Sequence, residues 1–197
     1  MAEIEFELVF ALPEGDYDAF DLMDAVFEAG FEDAIVGTGV LGMIGIALEA
    51  ASDHAEDAIL DAARAIRKQL PAGSVLREVR PDLVSLADVA KRLDVTRQSL
   101  QKRKMPLPSQ GGLFRMEEVA VVIMEAAQGK GTGTRKGRFS VDKAARWLSA
   151  GKPARRVNAG LAVGVIDGMT LEIREDAKHF LYADNPATDP QNSAGAA

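Results

Sequence analysis

Ser85-Leu-Ala-Asp-Val-Ala-Lys-Arg-Leu-Asp-Val-Thr-Arg-Gln-Ser-Leu-Gln-Lys-Arg-Lys104 decides how this chain is read. Ser85 is placed to cap a helix, and Asp88 three residues on completes a near capping box. Leu86, Val89, Ala90 and Leu93 recur at helical spacing and make one apolar face. Asp94-Val95 then forms a turn, with Val95 directed inward as a plug. Thr96 caps the next helix, and Leu100 falls where it meets Val89 and Leu93. Ala90 is small at the point where the two helices must cross. This is the pattern of a tight helical corner that leaves its second helix exposed.

The exposed face of that second helix carries Arg97, Gln98, Gln101, Lys102 and Lys104. Arginine can chelate guanine O6 and N7, and glutamine can pair with adenine N6 and N7. Thr96 and Ser99 can donate to phosphates at the helix start, where the helix dipole also favours an anion. Lys91, Arg92, Lys102, Arg103 and Lys104 offer further phosphate contacts. Downstream, Pro106–Arg115 reads as a short two-stranded wing with Gly111-Gly112 at its tip, and Arg115 sits where a wing residue meets the backbone. Met116 opens a third helix bearing Val119, Val121, Val122, Ile123 and Met124.

The run Leu86–Leu100, followed by the Pro-rich segment and Arg115-Met-Glu-Glu-Val, resembles the winged helix-turn-helix of MerR-like and excisionase-like bacterial DNA-binding proteins. The resemblance implies that Thr96 to Lys104 enter the major groove and that the wing touches the flank. Asp94 stands where that family usually has glycine, and aspartate tolerates the left-handed conformation.

Upstream, Ile4, Phe6, Leu8 and Phe10 alternate with Glu3, Glu5 and Glu7, the period of a strand with one wet face. Asp16 is placed to cap a helix over Tyr17–Ala29, with Phe20, Met23, Val26 and Phe27 as its apolar stripe and Gly30 as its end. A short strand at Ala34–Val36, a strand from Met43 to Glu49, a helix starting at Ser52 or Asp53 and a strand over Ser74–Val79 complete the order β-α-β-β-α-β. That order predicts a ferredoxin-like domain over residues 1–81. Gly37-Thr-Gly-Val-Leu-Gly42 matches a dinucleotide fingerprint, but it leads into a strand rather than a helix, so it reads as a turn.

Beyond the winged unit, expected over 84–128, residues 129–139 read as a basic Gly-rich linker. Residues 140–184 read as a helix over Ser140–Ala150 plus a hairpin, Leu161–Ile166 and Met169–Ile173, turning at Asp167-Gly168. Residues 185–197 have the composition of a disordered tail. The expected class is therefore α+β: a ferredoxin-like head, a mainly helical winged helix-turn-helix and a C-terminal extension.

Charge is distributed unevenly along the chain. Residues 1–80 carry 17 Asp/Glu against five Lys/Arg, whereas residues 130–156 carry nine Lys/Arg against the single acid Asp142. The overall net charge of −7 therefore does not exclude a nucleic-acid partner, because duplex affinity depends on where the cations sit. With no cysteine and two histidines, thiolate chemistry is excluded and neither a metal site nor a cofactor is expected. Head carboxylates such as Asp16, Asp18, Asp21, Asp24 and Glu28 occupy several helix faces and form no acid-base pair, so no enzyme is expected. An acidic start without an apolar run, and no apolar stretch of membrane length, read as a cytoplasmic protein.

These features predict a transcriptional regulator that binds double-stranded DNA as a homodimer, with no membrane partner. Its first 81 residues would dimerise, sense a ligand or hold a protein partner. Two alternatives stay open: an antitoxin or inhibitor acting through the acidic head, and an excisionase-like architectural protein using the basic stretch.

Overall fold

The computed structural model describes residues 2–129 and 141–182; the basic linker residues 130–139 and the tail 185–197 lie outside the described residues. The chain is mixed α+β with one antiparallel four-stranded sheet. Strands β1 (Ala2–Ala11), β2 (Ile35–Gly37), β3 (Met43–Ser52) and β4 (Val75–Arg80) lie side by side in the order β2-β3-β1-β4. Helix α1 (Ala19–Glu28) joins β1 to β2, and α2 (Ala55–Gln69) joins β3 to β4. The alternation in β1 sets the sheet's two faces. Ile4, Phe6, Leu8 and Phe10 are buried and stand opposite Ala50, Leu48, Ile46 and Ile44 of β3. Leu22 and Val26 of α1 and Ile59, Ala63 and Ile66 of α2 close over that inner face.

Three boundaries differ from the sequence expectation. Helix α1 is capped by Asp18, whose Oδ1 accepts from Phe20 N at 2.7 Å, and not by Asp16. Its buried face is Leu22 and Val26, so Phe20 (71% exposed) and Phe27 point outward and the expected apolar stripe is rotated. Helix α2 starts after His54, because β3 runs on to Ser52 in register with Ala2. Strand β2 is Ile35–Gly37, one residue later than expected.

A second core forms around the helical corner. Strand β5 (Leu83–Val84), α3 (Leu86–Arg92), α4 (Arg97–Gln101), β6 (Phe114–Arg115) and α5 (Met116–Gln128) surround Val89, Ala90, Leu93, Leu100, Met116, Val119 and Ile123. The expected two-stranded wing is not what residues 106–115 form. A single 3-10 turn, Gln110–Gly112, occupies its tip, and Phe114–Arg115 pairs instead with Leu83–Val84 upstream of the corner. Pro106 and Pro108 contribute, since neither supplies an N–H to a ladder across the wing.

The C-terminal region joins both cores. Ala144 and Leu148, around helix α6 (Ala145–Ser149), enter the corner's core, while Ala154 and Val157 of helix α7 (Gly151–Ala162) enter the head's core. The expected hairpin is a correction too: Leu161 and Ala162 belong to α7, and a single bridge between Ile166 and Ile173 is all the pairing that remains. Helix α8 (Lys178–Leu181) ends the described chain.

Helix α7 finishes the free edge of β4. Asn158 Oδ1 accepts from Val79 N at 2.7 Å, and Asn158 Nδ2 donates to Val79 O at 2.8 Å, so one side-chain amide replaces a neighbouring strand. Leu76 N donates to Gly168 O at 2.8 Å further along that edge. A Cβ at position 168 would meet Leu76 O at 2.8 Å, which restricts the position to glycine.

Candidate nucleic-acid interface

The corner is built by caps. Ser85 Oγ accepts from Asp88 N at 3.1 Å while Asp88 Oδ2 accepts from Ser85 N at 3.1 Å, a reciprocal capping box that starts α3. Asp94, with φ 52°, takes the left-handed position that ends α3, and Val95 N donates to Ala90 O at 2.9 Å. Thr96 Oγ1 accepts from Ser99 N at 3.2 Å and starts α4 only two residues after Asp94. Leu100 is fully buried in one cluster with Val89 and Leu93, which pins α4 across α3.

The expected surface helix is shorter than the sequence suggested. It spans Arg97–Gln101, and Lys102, Arg103 and Lys104 follow in a turn, with Arg103 N donating to Leu100 O at 2.9 Å. Met105 precedes Pro106, which disfavours the helical conformation there. Thr96, Arg97, Gln98, Gln101, Lys102 and Lys104 are exposed around this element. Ser99 is half-buried, and its Oγ donates to Thr96 O at 2.8 Å rather than facing outward.

Three candidates are held against the body of the protein, Arg92 by its partners and Arg103 and Arg115 by partial burial. Arg92 pairs with Glu5 of β1 and lies 5.4 Å from the centre of the Trp147 ring, so its charge is held between the head and α6. Burial pushes the Arg92 guanidinium below its usual range. Arg103 is half-buried, with its Nε inside the fold. Arg115 sits half-buried in β6 opposite Leu83, away from the tip at Gly111-Gly112. Lys91 is exposed and lines an open groove of about 440 Å³ with Asp88, Arg92, Lys143 and Trp147.

The basic stretch 130–156 divides in an equally definite way. Arg146 pairs with Glu3 at 3.0 Å and with Glu49, Arg155 pairs with Glu117, and Arg156 pairs with Glu56 at 2.9 Å. Glu3, Glu5 and Glu49 on the outer face of the sheet thus hold Arg146 and Arg92, while Glu56 of α2 and Glu117 of α5 hold Arg156 and Arg155. This partition has no local signal, because every pair joins residues some 40 to 140 positions apart. Lys143 is exposed, has no ion pair among the described residues and lies beside Lys91. No family model, curated protein or solved structure matches the chain.

Proposed function

We propose that this protein is a sequence-specific, double-stranded DNA-binding transcriptional regulator that lays α4 in the major groove. The observation that carries the reading is the α3–α4 corner: Leu100 anchors α4 from beneath while Arg97, Gln98 and Gln101 stand free above it. Those three side chains supply base-edge donors and acceptors, and Lys91, Lys102 and Lys104 supply charge for phosphates. On this reading residues 84–128 are a winged helix-turn-helix of the MerR-like and excisionase-like kind with a reduced wing. The head, with strand order β2-β3-β1-β4 and two helices on one face, is read as ferredoxin-like. Such a protein recognises and binds, and carries no catalytic role.

A mobility shift on the duplex upstream of the protein's own coding region tests the reading. Binding at low salt, lost or broadened in specificity by Arg97→Ala and Gln98→Ala together, is expected. Absence of any shift at low salt would overturn it.

A further inference from the structure

One groove beside the corner keeps positive charge that no carboxylate engages. Where the corner meets the head and the C-terminal region, the arginines are taken up: Arg92 lies on Glu5, Arg146 on Glu3 and Glu49, and Arg155 on Glu117. Lys91 and Lys143 are exposed and have no ion pair among the described residues. Both line the open groove of about 440 Å³. Helix α3 supplies one wall through Asp88, Lys91 and Arg92, and the 3-10 turn Asp142–Ala144 and α6 supply the other through Lys143 and Trp147. Trp147 is half-buried, and the Arg92 guanidinium, 5.4 Å from the centre of its ring, ties the two walls together. Asp88 is the one carboxylate in the lining among the described residues, and its Oδ2 accepts from Ser85 N at 3.1 Å and Ser85 Oγ at 2.6 Å. The groove also lies close to α4 along the chain. Val95 N donates to Ala90 O at 2.9 Å, so Lys91 sits one residue from the point at which the chain turns into α4.

We infer that this groove carries the sugar-phosphate backbone of the DNA flanking the α4 site, with the Lys91 and Lys143 ammonium groups on phosphate oxygens and Trp147 against the sugars. The inference rests on the reading of α4 as the DNA-contacting helix, and adds to it a grip from outside residues 84–128. Charge selects an anion, because two lysines without counter-charges line one groove whose single carboxylate is engaged in a helix cap. Shape selects a polymer over a small anion: ligand pockets enclose most of their ligand, whereas this groove is open to solvent. Position selects the flank of the α4 site, since Lys91 and α4 are joined through one hydrogen-bonded turn. Contacts of this kind add affinity and fix orientation but carry no base information.

Fluorescence anisotropy of the full chain with a mixed-sequence duplex of about 30 base pairs, from about 50 to about 200 mM salt, tests the proposal. Lys143→Ala and Lys91→Ala should each flatten the slope of log affinity against log salt by about 0.9, and together by about 1.8. Each should also weaken binding by about eightfold at about 0.1 M salt, the same contact read at one concentration. Lys68→Ala removes an equal charge from an exposed position on α2 of the head and should leave the slope unchanged. All three positions are exposed, so far-UV circular dichroism should not change. The sequence enriched from a random library should be the same for Lys143→Ala as for the native chain. A slope indifferent to Lys143→Ala, an equal flattening by Lys68→Ala, or a changed enriched sequence would overturn the proposal and leave the proposed function standing. Binding that depends on Lys143 but enriches no sequence would overturn only the proposed function. No binding to any duplex at about 50 mM salt would overturn both.

Discussion

Leu100→Ala is the substitution on which the corner's construction turns. The side chain is fully buried between α4 and the Val89–Leu93 face of α3. Truncation removes the equivalent of three methylene groups, about 2.4 kcal/mol at roughly 0.8 kcal/mol each. A five-residue helix held chiefly by this one side chain leaves residual space, and the cavity term raises the expected loss to about 3–4 kcal/mol. For a chain of this size that corresponds to a fall in Tm of about 6–15 °C, measurable by circular dichroism or calorimetry. Leu107→Ala is the matched control: Leu107 is 86% exposed, so the same chemical change should stay within about 0.5 kcal/mol. A loss below about 1 kcal/mol for Leu100→Ala, or equal losses at the two leucines, would refute the claim that Leu100 fixes α4.

Asn158→Ala removes both side-chain hydrogen bonds to Val79 and leaves part of an edge backbone unpartnered; a loss of about 1–3 kcal/mol is expected, with faster amide exchange at Val79. Arg146→Ala severs exposed pairs to Glu3 and Glu49, so stability should change by no more than about 1 kcal/mol. The dependence of DNA affinity on salt should be unaltered, since that guanidinium is not offered to phosphates; a shallower slope would show that it is. Asp167 Oδ1 accepts from the Thr170 and Met169 amides, at 2.7 and 2.8 Å, which hold its carboxyl below the usual carboxylate range. The folded value is the lower one, so the turn's contribution is present above the unfolded carboxylate range and lost as pH falls through the folded value. Carbon-13 titration should place Asp167 below the usual carboxylate range, and a titration within that range would contradict the turn.

Much of this architecture is legible locally. The alternation in β1, the caps at Ser85 and Thr96 and the inward Leu100 are all short-range patterns, and the structure places them as read. In α1 the large apolar side chains of Phe20 and Phe27 draw the expected stripe off the buried face, which consists of Leu22 and, as expected, Val26. Helix α7 escaped notice for the opposite reason. Its buried positions, Gly151, Ala154, Val157 and Gly160, are small, and Pro153 and two glycines suggest a loop. Pro153 is tolerated because it lies in the first turn, where its missing N–H has no intrahelical acceptor. Gly151 is needed there: a Cβ would meet Met116 Cγ at 2.3 Å. The ion pairs of Arg92, Arg146, Arg155 and Arg156 join residues far apart in the chain, so they depend on tertiary packing that composition does not encode.

Selection of duplexes from a random library, carried out in parallel with the native chain and with Arg97→Ala/Gln98→Ala, tests the central claim most directly. The account predicts that the native chain enriches one defined sequence and that the double substitution relaxes or changes it at the contacted positions, each costing about 1–3 kcal/mol of discrimination. No enrichment over non-specific binding, or an identical enriched sequence from both proteins, would contradict it.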